Sequence, residues 1–183
     1  LVATSTITHA TPASFIAHVK SRKAEDDIAN YFLETDIDVF IGGGRKHFTI
    51  DRKDSKDLLA SLRAKNYNVV NTMYEMNYVK TGKLCALLEE DAMAPYWPDS
   101  VRSKDTYLGK EIEVKESRGD MLPKSAQKAI DLLSQNKKGF FLMVEGSQID
   151  WGGHANNKAY VVGEMLDFEN TLGQVLDLSL IHI

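Results

Sequence analysis

Short apolar runs alternate with amphipathic helical stretches along most of the chain, and that alternation restricts the fold more than any other feature. LVATSTI (1–7), IDVFIGGG (37–44), YNVVN (67–71), KLCALLE (83–89) and GFFLMVEG (139–146) read as strands. Between them, ATPASFIAHVKS (10–21) reads as a short helix with Pro12 near its first turn, where a missing N–H costs little. AEDDIANYFLET (24–35) begins with acids and then spaces apolar residues helically. SKDLLASLRAKN (55–66), with Asp54 ahead of it as a cap, SAQKAIDLLSQN (125–136) and KAYVVGEMLDFENTLGQVLD (158–177) complete the helices. Strand and helix in alternation predict an α/β layered sandwich, a central and largely parallel sheet flanked by helices. Residues 91–120 contain Pro95, Pro98 and many charges without clean periodicity, and are expected to form a surface loop or lid.

At 183 residues the chain is long enough for a domain with a real core, which we place over residues 1–177. A net charge of −4 argues against a nucleic-acid-binding surface, which needs a basic stripe. No run approaches the roughly 18 apolar residues of a membrane helix. The single cysteine, Cys85, sits in an apolar strand-like run and is expected to be a buried small hydrophobe. Leu1 opens the chain inside a strand pattern without a preceding Met, so the true amino terminus is expected upstream. LSLIHI (178–183) fits the helix before it poorly and matches a translated sequencing adapter. We expect it to be a non-native tail and set His182 aside as a ligand.

VEGSQIDWGGHANN (144–157) carries most of the chemistry. An apolar run stops at Glu145, and the glycine after it suggests that the carboxylate stands at the carboxyl edge of a sheet, where open α/β folds bind ligands. Asp150 and His154 are four apart, so a helical turn puts an oxygen and an imidazole on one face. That pair suits zinc, while Glu145 suits a harder cation such as magnesium. Spacing of this kind also occurs on solvated helix faces; the local density of Glu, Asp, His, Gly and Asn favours a polar site. By contrast, Gly42-Gly43-Gly44 before Arg45 and Lys46 fits neither a P-loop nor a dinucleotide-binding pattern. It reads as a tight turn after a buried strand. Thr11 reads as a cap for a helix starting at Pro12, His18 as a packed or partly exposed helix residue, and His47 as exposed.

VEGSQIDWGGHANN resembles the metal-binding segment of alkaline phosphatases. THATPASFIAHVKSRK (8–23), DVFIGGGRKHF (38–48) and EMLDFENTLGQVLD (164–177) resemble three further segments of that family, in its order and spanning nearly the whole chain. The resemblance implies the alkaline-phosphatase-like sandwich and a set of roles. It implies that Arg22 forks onto the substrate phosphate, as a guanidinium can and an ammonium cannot. It implies that Thr11 and Glu145 share magnesium, and that Asp150 and His154 are two of three protein ligands of a first zinc. His9 matches a position near the magnesium that is Asp in some members and His in others. Trp151 matches a variable position close to the phosphate, where Lys, His or Trp occur. This His and Trp pairing implies altered metal preference rather than a different reaction.

For the whole protein the resemblance implies hydrolysis of small phosphate monoesters through a phosphoserine at a zinc and magnesium site. Export to the periplasm or beyond, and a homodimer, are implied in the same way. The family's nucleophilic serine would lie upstream of Leu1, and the remaining zinc ligands downstream of Asp177. The stretch from 1 to 183 is therefore expected to be inactive alone. Two other readings stay open: a phosphodiesterase, sulfatase or mutase of the same metal-dependent superfamily, and a non-catalytic metal- or phosphate-binding module.

Overall fold

Every apolar run named above becomes a strand of one parallel sheet. The computed structural model describes residues 1–50, 52–98, 106–107, 110–111 and 117–181. The elements in order are β1 (Val2–Thr6), α1 (Ala10–Ser14), α2 (Glu25–Glu34), β2 (Val39–Gly43), a 3-10 turn (Arg45–His47), α3 (Leu58–Ala64), β3 (Tyr67–Val70), α4 (Met73–Tyr78) and β4 (Lys83–Leu87). There follow β5 (Thr106–Tyr107), β6 (Lys110–Glu111), α5 (Met121–Leu133), β7 (Val144–Glu145), α6 (Gln148–His154) and α7 (Lys158–Ile181). The sheet order is β3-β4-β2-β1-β7, and each of these pairings is parallel. β5 and β6 form a separate antiparallel pair. The α/β sandwich expected from the sequence is what forms.

Two compact units divide the chain: residues 1–93 with 128–145, and residues 94–127 with 146–183. The first holds the sheet. β1 and β2 are buried along their full length, as strands covered on both faces are. Phe32 of α2 meets Phe40 of β2 at 4.6 Å between ring centroids and Phe48 at 5.4 Å. Ile28, Leu58, Leu62 and Leu87 close the same cluster, so α2 and α3 cover that part of the sheet. Cys85 belongs to it, fully buried and unpaired, and burial pushes its thiol pKa far up.

In the second unit a buried ion network does the corresponding work. The Arg118 guanidinium donates to both carboxylate oxygens of Glu164 at 2.7 Å and to Asp167 at 2.5 Å. Glu164 also accepts the Tyr96 amide at 2.8 Å, which ties that segment to α7. Burial raises the Asp167 pKa despite the arginine beside it. Gly152 lets α6 lie against α7, because a Cβ there would stand 2.9 Å from the Val161 nitrogen.

Several boundaries differ from the sequence reading, each for a local reason. The expected helix over 10–21 stops at Ser14, and the His18 carbonyl takes the Tyr31 hydroxyl at 3.0 Å instead of an amide of its own helix. His18 is exposed there rather than packed. Thr11 is not a cap: His9 occupies the N-cap position and Thr11 lies inside the first turn. The cap of α3 is Asp57, which accepts the Ala60 amide at 2.8 Å, because Asp54 is engaged by Arg52. The strand expected over 139–146 narrows to Val144–Glu145, since β1 begins at Val2 and offers no ladder beyond it. Helix α4 went unread although Thr72 and Glu75 form a capping box before it. Helix α7 runs on through residues 178–181; His182 lies outside the described residues, as does most of the 91–120 segment between residues 99 and 116.

Phe32→Ala should cost about 3–5 kcal/mol in urea unfolding, the range for deleting a buried ring. A cost below about 1 kcal/mol would contradict the placement of this core.

Candidate functional site

The first unit gathers four of the sequence-predicted residues. β1 ends at Thr6, and the turn after it delivers His9 and Thr11; β7 ends at Glu145. The register pairs Ala3 with Glu145, so these neighbouring parallel strands bring His9, Thr11 and Glu145 to the same carboxyl edge. Arg22 is exposed, and its Nη2 lies 3.5 Å from Nε2 of His9. Thr11 is exposed as well, and Glu145 and His9 are partly buried. The arginine fork and the imidazole thus stand together, twelve residues of intervening chain notwithstanding.

In the second unit, α6 carries the other three. Asp150 Oδ2 and His154 Nε2 are 3.5 Å apart on one helical face, with side chains 74% and 81% exposed. Trp151 is partly buried beside them in sequence. An oxygen and an imidazole nitrogen held this way are a donor pair that zinc accepts. A hydroxyl with a carboxylate, as Thr11 and Glu145 offer, suits magnesium. Among the described residues no three His, Cys, Asp or Glu side chains group closely enough to hold an ion by themselves. Each set therefore fits as part of a site.

The triple glycine behaves as a turn, as read. A Cβ at Gly43 would fall 2.0 Å from the Asp91 carbonyl, and Gly44 has φ 92°, so neither position admits a side chain comfortably. Arg45 and Lys46 are engaged by Glu90 and Asp91, which leaves no phosphate cradle there.

His47 corrects the sequence reading: it is largely buried, not exposed. Its Nδ1 lies 2.8 Å from Asp26 and its Nε2 3.3 Å from Glu25. One oxygen of Glu25 also accepts the hydroxyls of Thr6 at 2.8 Å and Thr8 at 2.6 Å. Burial alone would raise the Glu25 pKa, but the His47 ring, Thr8 and Thr6 outweigh it and bring it down to about 2. Burial would likewise lower His47, and the two carboxylates raise it instead. Sequence reasoning missed this cluster because its members lie 17 to 22 residues apart and follow no spacing rule.

The pH consequence has a definite sign. Glu25 contributes stability that is present above its ordinary value of 4.5 and lost as pH falls toward about 2. His47 contributes stability that is present below its ordinary 6.5 and lost as pH rises through its raised folded value. The charges facing His47 are Glu25 and Asp26 from α2, with Lys46 beside it and the Arg52 guanidinium on its carbonyl. Urea unfolding should therefore show His47→Gln destabilising most between about pH 5 and 6, and least near pH 9. A difference that stays constant with pH would contradict the charged clasp.

With this geometry in hand, three comparisons bear on its use. The alkaline phosphatase family model matches residues 1–180. Alkaline phosphatase 3 of Bacillus subtilis is 39% identical over 186 residues, covering 98% of this chain and 36% of that protein. Alkaline phosphatase of Escherichia coli K12 is 31% identical over 214 residues, covering 97% of this chain and 45% of that protein. The solved alkaline phosphatase of the Antarctic bacterium TAB5 superposes with a TM-score of 0.82 at 39% identity, covering 97% of this chain and 47% of that one. Variants of the TAB5 enzyme in which a histidine is replaced by glutamate or aspartate hold magnesium in a site termed M3. The chain spans less than half the length of each of these relatives.

Proposed function

The chain belongs to the alkaline phosphatase family, and from that premise we propose that its whole protein hydrolyses phosphate monoesters at a zinc and magnesium site. One observation carries the assignment of roles: parallel β1 and β7 bring His9, Thr11 and Glu145 to one carboxyl edge, with Arg22 beside His9. Thr11 and Glu145 are the magnesium donors in this reading, and Asp150 and His154 supply two donors to a zinc. Bound metals would supply Lewis-acid charge for the attacking and leaving oxygens.

Arg22 binds the phosphoryl group. Its planar fork offers two N–H donors to two oxygens, and those bonds strengthen as charge develops on the equatorial oxygens. His9, next to it, governs how the third site takes magnesium. In the TAB5 enzyme, variants that carry an acid in place of a histidine hold magnesium in M3, which supports an influence of histidine on metal choice in this family. Trp151 lies close to the phosphate in this reading. The nucleophile is a serine outside residues 1–183, and the reaction runs through its phosphoester. Residues 1–183 alone are accordingly inactive. The whole protein is a homodimer that works in the periplasm or outside the cell; no helix among the described residues is long and apolar enough to cross a membrane.

Arg22→Ala in the complete enzyme should weaken inhibition by inorganic phosphate about tenfold or more, the effect of losing a charge-assisted bidentate contact. Unchanged inhibition would remove Arg22 from the site.

A further inference from the structure

The residues that present His9 and Thr11 are themselves held by something outside the turn. Thr8 is fully buried and Thr6 nearly so, and both hydroxyls end on the same oxygen of Glu25. The turn's own backbone bonds are few: Ile7 N–H to Gly43 at 3.0 Å, His9 N–H to Thr6 at 2.9 Å and Ala13 N–H to His9 at 2.9 Å. The Glu25 carboxylate adds two hydrogen bonds to these and to the packing of Ile7 and Ala13 in the core. Glu25 in turn cannot drift, because it is the first residue of α2, whose Ile28, Ala29 and Phe32 are locked in the core. His47 closes the arrangement from the far side, and the Arg52 guanidinium holds the His47 carbonyl at 2.6 Å.

We propose that Glu25 is a positioning residue, a carboxylate that grips Thr6 and Thr8 and so fixes where His9 and Thr11 stand. The chain of restraint runs from the apolar core through α2 to Glu25, then through the buried Thr8 hydroxyl to His9, its neighbour, and Thr11, three residues on. A charged acceptor is stronger than a neutral one, and a single oxygen shared by two hydroxyls ties the last strand residue and the turn to one point. This inference rests on the reading that His9 and Thr11 serve the magnesium and phosphate site. Glu25 itself is not a ligand in it: its shared oxygen is occupied by Thr6, Thr8 and His47.

The test is hydrogen exchange by mass spectrometry on the complete protein, together with titration of magnesium into the metal-stripped form. Variants are Glu25→Gln, Thr8→Val and, as the conservative counterpart, Thr8→Ser. Glu25→Gln and Thr8→Val should each speed exchange across residues 7–14 about tenfold and weaken magnesium by a similar factor, with α2 and α3 unaffected. Thr8→Ser, which keeps the hydroxyl, should behave as the parent. Unchanged exchange in both Glu25→Gln and Thr8→Val would overturn the proposal, and Thr8→Val decides alone should the charge change prevent folding. Faster exchange in a protein that never binds magnesium would uphold the anchor and overturn the proposed site instead.

Discussion

Strand β1 is the member on which the arrangement depends. It pairs in parallel with β2 on one side and β7 on the other, so three chain segments leave the sheet at one edge. The turn after β1 and the start of α1 carry His9 and Thr11, β7 ends at Glu145, and β2 runs into the glycine turn leading to His47. Side chains alternate faces along a strand, so a slip of one residue in the β1–β7 register would turn Glu145 to the opposite face. Full burial of β1 opposes any such slip, since Val2, Ala3, Thr4 and Ser5 have no solvent-facing alternative.

Polar chemistry at that edge is arranged in layers of decreasing burial. Thr8 is inaccessible, Glu25 and His47 are partly covered, and Arg22 and Thr11 reach solvent. A low local dielectric strengthens the inner contacts, while the outer groups keep their hydration until a ligand displaces it. Such a gradient suits an anion site: rigid support underneath and accessible donors above. The second unit makes a different use of charge. Arg118, Glu164 and Asp167 are withdrawn from water altogether and serve to hold the segment around Tyr96 on α7. Removing Arg118 would leave its buried carboxylates without a counter-charge, which is costlier than the loss of a surface pair.

The sheet was legible because its strands are short apolar runs bounded by glycines and acids, and the two-residue β7 still falls at the end of its run. The helices over 24–35 and 158–177 announced themselves by period and length. Less was visible where a single hydrogen bond decides the outcome. Asp57 rather than Asp54 caps α3 because Arg52 competes for the latter, and no local pattern reports a competitor. The six-residue α4 was too short to show a period, although its capping box is written plainly in Thr72 and Glu75. For the candidate site, residue types and spacing pointed to Asp150, His154 and Glu145, while Arg22, Thr11, His9 and Trp151 emerged through resemblance. Glu25 and His47 were invisible, because their meaning lies in partners brought close only by the fold.

The central claim is that Thr11, Glu145, Asp150, His154 and Arg22 divide between two metals and a phosphate. Anomalous diffraction from the complete protein, crystallised with zinc, magnesium and inorganic phosphate, tests it most directly. The account predicts zinc on Asp150 and His154, magnesium on Thr11 and Glu145, and phosphate oxygens on the Arg22 fork. Metal bound elsewhere, with these side chains facing only water, would contradict it.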